Sequence, residues 1–149
     1  MQRSIKKHTT IVAIALALCL VGMVTTSTAF AQECVNNEDG TLTDTKNNGM
    51  VWLYSGDGYT WEDCMQTVSN LQIAGYSDWR VPSTDDYYVF FSTTCKNVYP
   101  LKNLRWSWSS TTDPHNEKYA YTIHFQQGGG MPTERKNESY ACIGIRLFN

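Results

Sequence analysis

The sequence predicts an α+β domain, and three observations carry that reading. A helix with both ends marked begins after Thr60, and a second opens after Ser83. Strand-like stretches lie on either side, at residues 41–44 and 50–54 before the helices and at 106–111, 119–126 and 140–148 after them. Helices flanked by separate runs of strands make an α+β domain. Four cysteines, Cys34, Cys64, Cys95 and Cys142, follow the first 31 residues, and an even count in a small exported domain reads as two disulfides of open connectivity.

Residues 1–31 read as a leader rather than as part of the fold. Arg3, Lys6 and Lys7 form a basic start, residues 11–24 an apolar core, and Ala29-Phe30-Ala31 a cleavage site, so the mature chain is expected to begin at Gln32. The apolar run is short for a membrane span. Leu18 before Cys19 argues against a lipid anchor. The remaining 118 of 149 residues form a single domain, 32–149, large enough for one core. Of 12 basic and 14 acidic residues, three basic ones leave with the leader, so the mature net charge falls from −2 to −5. No basic patch of the kind that binds nucleic acid is left, and the Arg135-Lys136 pair reads as a solvated turn.

In chain order, Asn36-Asn37-Glu38-Asp39-Gly40 is a turn by composition. Its clustered oxygens suit calcium, but the spacing is not that of an EF-hand loop and turn chemistry accounts for the same residues, so no cofactor is expected. Strands 41–44 and 50–54 flank an Asn48-Gly49 hairpin turn, and Ser55-Gly56-Asp57-Gly58 reads as a loop. Thr60 caps the first helix with Asp63 three residues on. Trp61, Cys64, Met65, Val68 and Leu71 form its apolar face, and Gly75 is the expected C-terminal cap. Trp79 is the expected buried anchor of the turn that follows. Asp78 and Arg80 are expected to bond the backbone and each other, and Pro82 ends the segment.

The second helix, residues 84–92, has a Ser83–Asp86 capping box and the anchors Tyr87, Phe90 and Phe91. Its run of aromatics reads first as core and second as a partner-facing patch. Residues 93–104 read as a loop pinned by Cys95. Residues 119–126 alternate, which puts Tyr119, Tyr121, Ile123 and Phe125 on one face and Ala120, Thr122, His124 and Gln126 on a polar one.

Catalytic patterns are not found. The sequence has no Gly-x-Ser-x-Gly, phosphate loop or His-Glu-x-x-His, and His115 and His124 are not spaced as a zinc pair. Asp85 and Asp86 read as helix N-terminal charges. An enzyme is therefore not expected. A recognition module binding an extracellular protein or glycan comes first, a self-assembling fibre subunit second, and an enzyme with an unrecognised site third.

The run Gly75-Tyr76-Ser77-Asp78-Trp79-Arg80-Val81-Pro82 resembles a signature of the Lcl C-terminal domain family. Asp39-Gly40-Thr41-Leu42-Thr43-Asp44, Gly49-Met50-Val51-Trp52, Trp108-Ser109-Ser110-Thr111 and the closing strand from Tyr140 to Arg146 match it in order. The resemblance implies an exported bacterial domain, periplasmic, secreted or at the cell surface. It also implies a C-type-lectin-like fold, with two helices packed on small, mainly antiparallel sheets. The carboxylate-bearing triplets that hold calcium and sugar in such lectins are absent, and the cysteines do not match those of formylglycine-generating enzymes of similar shape.

Relatives commonly carry cysteines at the positions of Val68 and Gly144. Here the helix cysteine stands one turn earlier and the strand cysteine two residues earlier, each on the same face. The resemblance thus implies Cys64–Cys142, leaving Cys34–Cys95. It also implies that loops 96–105 and 112–118 gather at one end, around a strand that begins near Trp106. The candidate binding residues are therefore Arg105, Trp106, His115, Asn116 and His124, with Trp61, Asp78, Trp79, Arg80, Pro82 and Trp108 structural. Trp106 is placed at the rim and Trp108 in the core.

Overall fold

The computed structural model describes residues 33–47 and 50–147, so the expected leader, the Asn48-Gly49 turn and Phe148 lie outside the described residues. All described residues belong to one compact unit, Ala31–Asn149. Its strands are β1 (Cys34–Asn36), β2 (Thr41–Asp44), β3 (Met50–Tyr59), β4 (Trp106–Thr112), β5 (Tyr119–His124), β6 (Thr133–Arg135) and β7 (Tyr140–Arg146). Its helices are α1 (Trp61–Ser69) and α2 (Thr84–Phe91). The α+β class stands, but the small separate sheets do not. The strands form one seven-stranded sheet in the order β1-β2-β3-β7-β4-β5-β6. The joint is β7, which pairs antiparallel with β3 and parallel with β4 through Ser107 and Ala141. A last strand placed mid-sheet is buried on both faces, and Ala141 to Arg146 are all buried.

Side-chain alternation along the central strands builds two cores. Trp52, Ile123, Ala141, Ile143 and Ile145 pack with Tyr87 and Phe90 of α2. Leu53, Trp108, Ala120 and Cys142 pack with Cys64 and Val68 of α1 and with Trp79 and Val81. The helices thus cover opposite faces, because successive strand residues point opposite ways. Two disulfides form, Cys34–Cys95 and Cys64–Cys142, with Cα separations of 5.1 and 5.5 Å. This is the connectivity that the family resemblance implied. The second ties α1 directly to β7.

Local differences from expectation have local causes. Residues 55–58 are not a loop: β3 runs through them, with register shifts at Gly56 and Tyr59 where glycine backbones bulge. Gly75 does not cap α1. The helix stops at Asn70, whose N–H bonds the Thr67 and Val68 carbonyls, and Gly75 (φ 79°) with Ala74 (φ 56°) forms a two-residue turn closed by Ile73–Tyr76 backbone bonds. The 93–104 segment folds into two short 3-10 turns, Thr94–Asn97 and Leu101–Asn103. β5 ends at His124, and a third such turn, Phe125–Gln127, follows it.

Candidate functional site

The five candidate binding residues do not meet. Trp106 pairs with His124 at one end of the β4–β5 hairpin, whereas His115 and Asn116 lie in the loop at the other, beyond the Thr112–Ala120 pair. Six strand residues separate the ends, about 20 Å at the usual rise. The expected gathering of loops 96–105 and 112–118 fails for the same reason: a hairpin loop cannot sit beside the start of its own first strand. His124 is also not on an exposed polar face. It is 4% exposed, its ring centroid lies 4.1 Å from that of Trp106 with the rings near perpendicular, and its Nδ1 accepts the Gln127 N–H, which leaves the neutral ring's proton on Nε2. Trp106 is half-buried and Trp108 fully buried, with the Trp108 Nε1–H donating to the Tyr59 carbonyl at 2.8 Å.

Asp78 and Arg80 do not pair with each other. Asp78 accepts from the Arg146 Nε and Nη2 at 2.8 and 3.2 Å, and those bonds hold its carboxyl below the usual range. The Arg146 guanidinium also stacks 3.6 Å from the Tyr76 ring centroid, clamping the 73–76 turn to the end of β7. Arg80 instead forks onto Asp86 at 2.6 and 3.0 Å. Alternation along the extended segment buries Trp79, which is 3% exposed, and leaves Asp78 and Arg80 on the other side, where the partner of one lies 68 residues away and that of the other six. Burial raises the Asp86 carboxyl, but the bonds from Arg80 and from the Ser83 N–H and O–H more than offset it and leave the group low. The Pro82 carbonyl accepts the Ser110 N–H and the Ser109 hydroxyl, and the Trp61 Nε1–H donates to the Ser109 carbonyl. These side chains hold the frame.

A concavity lies where α1 begins and β5 meets β6. It is an open groove of about 690 Å³ lined by Glu62, Asn116, Glu117, Lys118, Tyr119, Arg135, Lys136 and Asn137. Asn116 is the one candidate binding residue that it includes. The Arg135 Nε donates to the Tyr119 hydroxyl at 2.9 Å, which steadies the guanidinium and raises its pKa. Lys136 does stand in a turn, as expected, but it is half-buried rather than free in solvent. Its ammonium sits 3.8 Å from the Trp61 ring centroid, and its backbone bonds Trp61 and Lys118. Asn116 Oδ1 accepts the Lys118 N–H, shaping the loop and leaving the amide N–H groups as donors. Donors thus come from Lys118, Lys136, Asn116, Asn137 and the outer nitrogens of Arg135, against the carboxylates of Glu62 and Glu117. The sequence signal for this site was the Arg135-Lys136-Asn137 run. β6, which ends at Arg135 and leads into the turn that carries Lys136 and Asn137, is three residues long and shows no alternation to read.

The oxygens of the 36–40 turn are used internally. Asn36 Oδ1 accepts the Glu38 N–H, and Asp39 Oδ1 accepts the Thr41 N–H and hydroxyl. Among the described residues no three His, Cys, Asp or Glu side chains gather as a metal site would need.

A family model for the Lcl C-terminal domain matches residues 40–146, which takes in both helices, strands β2 to β7 and the whole groove. The chain belongs to the Lcl C-terminal domain family. The family span includes the Cys64–Cys142 bridge but not Cys34, so the second bridge joins the span to a strand outside it. No curated protein matches the chain. Two buried disulfides within a family of extracellular type accord with an oxidising compartment.

Proposed function

We propose that the protein is a non-catalytic recognition module of the cell exterior, exported by the leader and binding a surface protein, polymer or glycan through the groove between α1 and β6. The observation that carries this is the donor-rich lining: Arg135 and Lys136 are held in place by Tyr119 and Trp61, so little side-chain entropy is lost when a ligand engages them. We read the shape as C-type-lectin-like, on the support of two helices on one sheet, two disulfides and a terminal strand placed mid-sheet.

The test is an array of glycans and extracellular matrix proteins probed with the exported protein and with an Arg135→Ala/Lys136→Ala variant. A ligand that binds wild type about tenfold or more tightly than the variant, and more weakly at high salt, is the expected result. A variant that binds every ligand as wild type does would remove the groove from the reading.

A further inference from the structure

A second surface lies apart from the groove, on the α1 side of the sheet. Tyr140 opens β7, and its ring lies 6.3 Å from that of Trp106, tilted by 49°. Both rings are half-buried. Each is braced from within: Trp108 meets Tyr140 edge to face at 5.0 Å, and His124 does the same for Trp106 at 4.1 Å. The braces are themselves buried and hydrogen-bonded, Trp108 to the Tyr59 carbonyl and His124 to the Gln127 N–H. Two braced aromatic residues thus lie side by side, each partly exposed. Glu134, on β6 opposite Ala120, and Glu138 sit close to the Tyr140 hydroxyl; burial first, and then these two carboxylates, raise its pKa.

We propose that Trp106 and Tyr140, with Glu134 beside them, form a binding platform for an uncharged saccharide. The apolar C–H face of a sugar ring packs on braced aromatic faces, which lose little entropy on binding. Its hydroxyls donate to a carboxylate, which when ionised only accepts. The same carboxylates repel anionic sugars, so this surface and the donor-rich groove select opposite chemistries. The reading is independent of the groove, because no residue is shared between them.

Tryptophan fluorescence of the exported protein, titrated with maltohexaose, cellohexaose and chitohexaose, tests it. At least one oligomer is expected to change the emission and to bind within twofold of the same Kd at roughly 0.05 and 0.5 M salt, since no counterions are released. Trp106→Ala should weaken that binding about tenfold or more, Glu134→Gln should weaken it severalfold, and Arg135→Ala should leave it unchanged. Glu134→Gln carries the test alone if Trp106→Ala does not fold, because it removes charge without removing a ring. The proposal is overturned if none of the three oligomers binds, if binding survives Trp106→Ala, if Glu134→Gln leaves it unchanged, or if it falls steeply with salt and with Arg135→Ala, which would place the sugar in the groove.

Discussion

Replacing Asp86 by alanine probes the junction of the signature segment with α2. The Asp86 carboxylate is 8% exposed and accepts from Arg80 Nη1 and Nη2, from the Ser83 N–H at 2.7 Å and from the Ser83 hydroxyl at 2.8 Å. Loss of the capping box costs about 1 kcal/mol. Loss of the charge-assisted bonds to Arg80 costs about 1.5–3 kcal/mol where both partners are dry. The Arg80 side chain is 46% exposed and water takes up its donors again, so the lower end applies and the sum is about 2–3 kcal/mol.

Equilibrium urea unfolding of wild type, Asp86→Ala, Arg80→Ala and the double variant measures this, with a coupling of about 1 kcal/mol expected between the two positions. The pH dependence follows from the sign of the shift. The folded pKa lies below the unfolded one, so the stabilisation is complete above the unfolded value, about 3.9, and is lost as pH falls through the folded value. Asp86→Ala should therefore lose less stability between about pH 5 and pH 2 than wild type does. A loss under about 0.5 kcal/mol at neutral pH, or no coupling to Arg80, would refute the reasoning.

Three further outcomes are expected. Trp79→Ala should cost about 3–5 kcal/mol in thermal or chemical melts through the cavity it leaves beside α1 and β7, while half-buried Trp106→Ala should cost clearly less; equal losses would make Trp106 a core residue. Replacing both cysteines of either bridge by alanine should lower stability by about 4 kcal/mol, since the chain spans 61 and 78 residues between partners, and non-reducing peptide maps should show Cys34 joined to Cys95 alone. Gly129→Ala should cost about 2–4 kcal/mol in the same urea assay, because φ is +87° and a Cβ there would lie 2.9 Å from the Phe91 ring; a neutral result would show that the turn can move away.

Local chemistry in the sequence was enough for the features decided by neighbours in the chain. The Thr60 and Ser83 caps, the apolar face of α1, the burial of Trp79 and Trp108 and the α+β class all follow from spacings of a few residues. The cysteine pairing was legible only through the family resemblance, since both cysteines keep the helix or strand face that relatives use; the sequence's own spacing left three connectivities open. What local patterns could not supply was strand order. That β7 enters between β3 and β4 depends on non-local pairing, and it turns separate small sheets into one. Whereas the Arg80–Asp86 pair spans only six residues, the same strand pairing brings Arg146 at the end of β7 to Asp78, a partner 68 residues away that no short window contains. It also sets the two ends of the β4–β5 hairpin apart, dividing Trp106 and His124 from His115 and Asn116. The groove exists only because α1, the 113–118 loop and β6 converge, and a three-residue strand such as β6 is stabilised by its partner's backbone rather than by any pattern of its own.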